Sequence, residues 1–211
     1  MRLRRVALGL ALLAVLILLL SGPGVRLGLW PFIAGILALP VAGLIGLIAA
    51  GLAIVGLSRP RFRQAGVAGL TLALLMGAIA ASVPIAGYVK ARSVPPINDI
   101  STDPKEQTEL QRKAYPDIQP LRLAVAPNIA FERAKGAIEE MGWQIVREDP
   151  SAGRIEAVAT TFWFGFKDDV VIRVAAEGTA SRIDIRSKSR VGVGDLGTNA
   201  QRIRAYQKRL N

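Results

Sequence analysis

The chain has 211 residues, of which 51% are hydrophobic, and a formal net charge of +11. It contains no Cys and no His, which excludes disulfides, thiolate chemistry and His-based catalytic triads, and removes almost every usual zinc site. The positive charge does not indicate nucleic-acid binding, because nine Lys and Arg and no acid precede Asp99, where they flank apolar segments. The remaining 18 Lys and Arg face 16 acids, so that part of the chain carries only +2.

Three apolar runs, over residues 6–20, 27–57 and 65–89, predict three membrane-spanning helices, since about 20 residues cross a bilayer. Three Arg precede the first run, as in a signal peptide. Because no small-x-small cleavage site follows, we predict a retained anchor instead. The spans hold no ionisable residue, which disfavours a transporter or channel.

The basic residues in the connecting segments predict the orientation of the chain. Three Arg precede the first span, Arg26 follows it, and three more separate the second span from the third. Under the positive-inside rule the N-terminus is cytoplasmic, and everything after Lys90 lies on the far side. We therefore expect a multi-pass protein of the inner (plasma) membrane with a periplasmic C-terminal domain.

Small residues recur every four positions in the third span. They are Ala65, Gly69, Ala73, Gly77 and Ala81, and the second span repeats the spacing at Ala42, Gly46 and Ala50. Such a ridge allows two helices to approach closely. The general richness of membrane helices in Gly and Ala explains the pattern equally well.

Residues 93–120 are rich in Pro and polar side chains, and we interpret them as a linker or a strap laid over the domain that follows. Within them, residues 98–103 read Asn-Asp-Ile-Ser-Thr-Asp, which favours local turns. A metal-binding loop is disfavoured, because neither the EF-hand spacing nor its glycine is present. This divides the chain into a three-span region over 1–92, the linker over 93–120, and an extracytoplasmic domain over 121–211.

The last 91 residues predict an α+β domain with the order β-α-β-β-β-β-α. After a strand over 121–125, Asn128 is a candidate N-cap for a helix that Gly142 ends. Alternating segments separated by turns then predict four strands, and a helical pattern closes the chain. Successive hairpins with a helix at each end predict an antiparallel sheet covered on one face by two helices.

Six motifs in this part of the chain resemble the domain-of-unknown-function family 1499. They are residues 98–103, Tyr115-Pro116, 153–157 (GRIEA), 166–169 (FKDD), 186–192 (RSKSRVG) and 195–203 (Asp195-Leu196-Gly197-x-Asn199-x-x-Arg202-Ile203). The resemblance covers about residues 93–210. It implies a domain often found behind membrane spans in bacteria, and also in photosynthetic lineages, and it supplies no activity or catalytic residue.

The strand predicted over 182–190 separates two sets of side chains by its alternation. One face shows Arg182, Asp184, Arg186, Lys188 and Arg190, and the other shows Ile183, Ile185, Ser187 and Ser189. The basic face suits an anion such as a lipid head group or an envelope phosphate. The other interpretation is a solvated face with cross-strand ion pairs, Asp169 among the partners. Ser187 and Ser189 need hydrogen-bond partners if they are buried.

Residues 192–197 match the dinucleotide motif G-x-G-x-x-G, but the chain ends fourteen residues later without the strand and acid that such a site needs. We therefore interpret the glycines as turn residues. Thr198 and Gln201 form a candidate capping box, followed by a predicted buried stripe of Ala200, Ile203, Tyr206 and Leu210. An anion at this helix N-terminus is a secondary hypothesis.

Our leading hypothesis is a membrane-anchored, non-enzymatic envelope protein whose extracytoplasmic domain binds a protein or an anionic lipid or polymer. The candidate ligand-binding residues are Arg186, Lys188, Arg190, Asp195, Asn199 and Arg202. We expect no catalytic residue, metal, cofactor or nucleic-acid partner.

Two alternatives stay open. One is a carboxylate-dependent hydrolase of an envelope substrate that uses Asp168, Asp169 and Asp195, although adjacent strand residues point to opposite faces. The other is a pure membrane scaffold. Four aromatic residues at the hairpin tip, Phe162, Trp163, Phe164 and Phe166, are interpreted as core residues or as contacts with the bilayer.

Overall fold

The structure is a computed structural model that describes residues 2–63 and 66–210. It divides into two compact units. The helical unit consists of Met1–Lys90 and Phe162–Gly165, and the sheet unit of Ala91–Thr161 and Phe166–Asn211.

The helical unit contains three long apolar helices, which confirms the helices predicted for the three apolar runs. They are α1 (Arg2–Arg26), α2 (Phe32–Ser58) and α4 (Val67–Ser93), with a short α3 (Pro60–Arg63) between the last two. The long helices have 25, 27 and 27 residues and are apolar enough to cross a membrane. Helix α1 continues past the predicted end of its apolar run, through Pro23, because helix-breaking residues are tolerated in membrane helices.

The small residues of α2 and α4 meet in a close helix crossing, which confirms the predicted packing ridge. A Cβ atom placed on Gly46 would lie 2.6 Å from the carbonyl oxygen of Gly77, and one on Gly77 would contact the carbonyl oxygen of Gly46. Ala42, Ala73 and Ala81 are buried. Ala65, the first residue of the ridge, lies outside the described residues.

The sheet unit is an antiparallel sheet with helices, as predicted. In chain order its elements are β1 (Asp99–Ser101), α5 (Glu109–Ala114), β2 (Leu121–Leu123), α6 (Pro127–Glu140), β3 (Gln144–Asp149), β4 (Arg154–Thr160), β5 (Lys167–Glu177), β6 (Ala180–Ser189) and α7 (Thr198–Leu210). The sheet order is β1-β6-β5-β4-β3, and β2 also pairs with β6. All pairings are antiparallel.

Two elements were not predicted from the sequence, and both lie in the segment interpreted as a linker or strap. Strand β1 pairs with β6, so that Asp99 lies opposite Lys188, and its central residue Ile100 is buried. Helix α5 is capped by Thr108, whose side chain accepts a hydrogen bond from the backbone N–H of Gln111. A strand of three residues is too short to show a periodic pattern, which is why β1 escaped notice.

The core of the sheet unit lies between the inner face of the sheet and helices α6 and α7. All four residues of the stripe predicted for the last helix are buried, which confirms it. Tyr206 stacks on Trp143 with ring centroids 5.5 Å apart, and its hydroxyl donates a 2.7 Å hydrogen bond to the carbonyl of Ala134. Burial raises the pKa of Tyr206, so the hydroxyl keeps its proton and remains a donor.

The predicted start of α6 was wrong, whereas its predicted end is confirmed. The N-cap is Ala126 rather than Asn128, and Pro127 is the first helical residue. Pro has no N–H to satisfy and a φ already suited to a helix, so this terminus forms without a side-chain cap. Gly142 follows the helix with φ = 67°, the left-handed conformation that favours glycine.

Candidate functional site

The predicted ligand-binding residues are divided between strand β6, the loop that follows it and helix α7. Arg186 and Lys188 belong to the outer face of β6, and Arg190 follows the end of the strand. Asn199 and Arg202 belong to α7, where their side chains bond to Ser187 on the inner face. The structure therefore does not bring the six residues together into one surface.

The outer basic row consists of Arg186, Lys188 and Arg190, and each of its members forms an ion pair. Arg186 binds both carboxylate oxygens of Asp99, at 2.8 and 2.6 Å, and Lys188 lies 3.4 Å from the same carboxylate. The hydrogen bond from Arg186 lowers the pKa of Asp99 despite partial burial. Arg190 binds Asp169, with its Nη2 atom 2.6 Å from Oδ1, as the cross-strand interpretation predicted.

A second group of ion pairs lies farther along the same face. Glu106 accepts a 2.7 Å hydrogen bond from Arg173 and a 2.8 Å bond from the Ser101 hydroxyl. The bond from Arg173 is the main reason that the pKa of Glu106 falls to about 2. Arg182 binds Asp184 through two nitrogens, at 2.9 and 3.0 Å.

The acids of residues 99–106 therefore neutralise arginines of β5 and β6. Sequence reasoning missed this role. The pattern that could have predicted it is the presence of several acids in residues 99–106, together with basic residues at the outward positions of β5 and β6.

The inner polar cluster consists of Asp168, Ser187, Ser189, Asn199 and Arg202, and it connects β5 and β6 to α7. The Nη2 atom of Arg202 lies 2.5 Å from the carboxylate of Asp168, and the two side chains are 9% and 3% exposed. The Ser187 hydroxyl donates a 2.7 Å bond to the Asn199 side-chain oxygen and accepts a 3.0 Å bond from Arg202. Arg202 also donates to the Asn199 side-chain oxygen.

The amide nitrogen of Asn199 completes the inner polar cluster. It donates 3.0 Å bonds to the Ser189 hydroxyl and to the backbone carbonyl of Asn98. Ser187 and Ser189 are buried, so the expectation that they need partners is confirmed. The polar groups of this cluster bind one another, which makes it a connection between strands and helix rather than an open cavity.

The loop between β6 and α7 is shaped by Asp195, not by the predicted capping box, which was wrong. The Asp195 carboxylate accepts hydrogen bonds from the backbone N–H groups of Gly197 and Asn199, at 2.8 and 2.6 Å. A carboxylate is favoured here, because the backbone N–H groups at a helix N-terminus are free to donate and the helix dipole is positive at that end. Thr198 is the first residue of the helix and not its cap. Gly192 and Gly197 have positive φ angles, which confirms their interpretation as turn residues.

The three carboxylates considered for hydrolysis lie in three different environments. Asp168 and Asp169 point to opposite faces, as predicted, and pair with Arg202 and Arg190. Asp195 caps α7. Within residues 2–63 and 66–210, no three His, Cys, Asp or Glu form a group suited to a metal ion. A surface groove is lined by Pro127, Asn128, Ile129, Phe131, Glu132 and Pro150, and includes none of these carboxylates.

Comparison with known families gives one result. A family model described as "Protein of unknown function (DUF1499)" matches residues 99–210, just over half of the chain. The match begins at the first residue of β1 and ends at the last residue of α7. A search of curated proteins found no significant match.

Proposed function

Since this chain belongs to the DUF1499 family, whose description assigns no activity, we propose a function from its own residues: it is a membrane-anchored, non-enzymatic binding module. Its sheet unit lies outside the cytoplasm and binds a protein or an anionic component of the cell envelope. The outer basic row supplies the contacts to this ligand. The buried side chains of Asn199 and Arg202, with Asp195, hold α7 against β6 and so keep the row in place.

The exposure of the outer basic row is the observation that carries this proposal. The side chains of Arg186, Lys188 and Arg190 are 40%, 54% and 46% exposed. Exposed ion pairs contribute only about 0.2–1 kcal/mol each. A ligand with several negative charges therefore displaces Asp99 or Asp169 at small cost and occupies the same guanidinium and ammonium groups.

No observation favours the hydrolase alternative. A general acid or base has to reach a substrate, yet Asp168 is buried in an ion pair and Asp195 accepts two backbone hydrogen bonds. Asp169 is accessible, but its carboxylate is held in an ion pair with Arg190.

We also propose that the chain lies in the inner membrane with its N-terminus in the cytoplasm and the sheet unit in the periplasm. The basis is the distribution of Arg residues around the three apolar helices. Because the chain has no Cys, single introduced thiols report the side on which each residue lies. Thr179→Cys, in the exposed β5–β6 turn, should react with a membrane-impermeant maleimide in spheroplasts, and Ser58→Cys, at the end of α2, should react only after lysis. The reverse pattern would contradict the proposed orientation.

The ligand surface is tested with a double variant, Lys188→Ala with Arg190→Ala, in a crosslinking pull-down with the full chain. Capture of the bound component should fall about tenfold or more, since a hydrogen bond to a charged group contributes about 1.5–3 kcal/mol and 1.4 kcal/mol is a tenfold change in affinity. Arg133→Ala with Arg147→Ala removes the same charge from exposed positions elsewhere and should leave capture unchanged. Equal capture by both double variants and the unchanged chain would rule out the outer basic row as the binding surface.

A further inference from the structure

The three long helices meet at one end of the helical unit, where α1 and α4 begin and α2 ends. A Cβ atom placed on Gly69, in the first turn of α4, would lie 3.3 Å from the Cδ1 atom of Leu8 in α1. One placed on Gly56, in the last turn of α2, would lie 2.8 Å from the Cδ2 atom of Leu70. We call this the basic end of the helical unit, and the arginines with described side chains there are Arg2, Arg4, Arg5, Arg59 and Arg61.

The helical unit contains no carboxylate side chain that could neutralise the basic end. No Asp or Glu precedes Asp99, and residues 162–165, which complete the unit, read Phe-Trp-Phe-Gly. Helices α1 and α4 both begin here, and the N-terminus of a helix carries unsatisfied backbone N–H groups and the positive end of the helix dipole. The anion that balances this charge therefore has to come from outside the helical unit.

Arg4 lies in a notch of α4 that glycines create. A Cβ atom placed on Gly69 would lie 2.8 Å from the Cδ atom of Arg4 and 3.2 Å from its Cγ atom. A Cβ atom placed on Gly66, the residue just before α4, would clash with the Nη1 atom of the same side chain. Gly66 also has φ = 118°, a conformation that favours glycine. The notch therefore holds the guanidinium beside the first backbone N–H groups of α4.

The guanidinium of Arg4 is incompletely satisfied in this position. Its Nε atom is buried and has no hydrogen-bond partner among the described residues. A buried donor without a partner is unfavourable, so such an atom calls for an explanation. A guanidinium and a helix N-terminus are both favoured donors to phosphate oxygens, and here they lie side by side.

The depth of this group in the membrane indicates where the phosphate comes from. Arg4 precedes the apolar run over 6–20 by two residues, and Gly66 lies at the start of the run over 65–89. Both therefore lie where the apolar segments begin, which is the level of the lipid head groups. Val6 and Leu72, farther along α1 and α4, are 51% and 50% exposed and offer apolar contacts to acyl chains.

We infer that Arg4 and the start of α4 form a binding site for the phosphate of an anionic phospholipid. The guanidinium and the first N–H groups of α4 hold the head group, and the acyl chains lie along the apolar faces of α1 and α4. This site shares no residue with the outer basic row and lies entirely within the helical unit. The proposed orientation assigns it to the cytoplasmic leaflet, whereas the binding itself does not depend on that orientation.

Titration of the full chain with a defined lipid tests the site. The chain is freed of lipid in a neutral detergent and titrated with dioleoyl phosphatidylglycerol, and the bound lipid is counted by native mass spectrometry. Arg4→Gln should weaken the first binding step about tenfold or more, because it removes a charged donor. Arg5→Gln is the matched control, since it removes the same charge from the neighbouring, exposed residue and should bind almost as tightly as the unchanged chain.

Three outcomes would overturn the site or its assignment to a lipid. Equal weakening by Arg4→Gln and Arg5→Gln would show that the basic end attracts lipid through its overall charge. Phosphatidylcholine that binds as tightly as phosphatidylglycerol would contradict selection of an anionic head group. Displacement of the lipid by an equal concentration of inorganic phosphate would assign the site to a soluble anion.

A second variant tests the notch while Arg4 stays in place. Gly69→Ala puts a methyl group where the stem of Arg4 lies, so it should displace the guanidinium and weaken phosphatidylglycerol binding severalfold. Gly87→Ala adds the same group to the same helix, with nothing within 4 Å of its Cβ position, and should leave binding unchanged. All variants are compared well below their thermal unfolding midpoints. Equal binding by the two glycine variants would contradict the notch as the lipid site.

Discussion

Replacing Asp168 by Ala is expected to destabilise the sheet unit by about 3–5 kcal/mol, because the change leaves the buried guanidinium of Arg202 without its carboxylate. The same substitution at the next residue, Asp169→Ala, should cost less than about 1 kcal/mol, since its partner Arg190 lies in solvent. The two residues are identical in type and adjacent in sequence. The difference between the two losses of unfolding free energy therefore measures how much more an ion pair contributes on the buried face of the sheet than on the exposed face.

Chemical unfolding of the full chain in nanodiscs measures both effects, with Trp143 in the sheet unit as a fluorescent reporter. A third variant, Asp168→Leu with Arg202→Leu, removes both charges and should recover much of the lost stability, because no unpaired buried charge remains. Equal losses for Asp168→Ala and Asp169→Ala would show that the inner polar cluster does not stabilise the fold. Unchanged stability together with lost function would revive the hydrolase alternative for Asp168.

Replacing Gly46 by Leu is expected to destabilise the helical unit by about 1–3 kcal/mol or more. A side chain at this position would clash with the backbone carbonyl of Gly77 and the Cβ atom of Ala80. Because a backbone atom in a packed helix cannot move away easily, the two helices would have to separate. Gly51→Leu is the matched control, since it lies in the same helix with nothing within 4 Å of its Cβ position. Gly51→Leu should change the free energy of unfolding by less than about 0.5 kcal/mol.

Resistance of the full chain to denaturing detergent measures this effect. Gly46→Leu should lower the midpoint of unfolding, and Gly46→Ala should lie between Leu and the native glycine because its added group is smaller. A midpoint for Gly46→Leu equal to that of Gly51→Leu would mean that α2 and α4 do not pack through this crossing.

Several features of the sheet unit were predictable because they depend on strict periods. Alternation along β6 assigned Ser187 and Ser189 to the inner face, and the helical period of the last segment assigned Tyr206 to the core; both are confirmed. The same alternation separated Asp168 from Asp169. In each case one geometric rule within a single element decides the side chain's direction.

The remaining features depend on contacts between distant parts of the chain. Arg186 pairs with Asp99 across 87 residues, and Arg202 pairs with Asp168 across 34. No local pattern specifies such partners. The sequence therefore predicted Asp169 as a partner of the basic face but not Asp99, and it named no partner for the inner serines. The cap at Asp195 was missed for a different reason: a Thr and a Gln at the spacing of a capping box gave a competing local signal.

The pairing of the entering chain with the end of β6 has a consequence for biosynthesis. Asn98, which is synthesised well before the second half of the chain, bonds to Asn199 over a separation of 101 residues, and β1 pairs with β6, the last strand of the sheet in chain order. Contacts of such long sequence separation form late in folding. The sheet unit therefore completes its fold only after nearly the whole chain has been translated and, in the proposed orientation, moved across the membrane. Until then β5 lacks its β6 neighbour and exposes an unpaired strand edge. Because such an edge can pair with another chain, the domain needs protection from aggregation most during this interval.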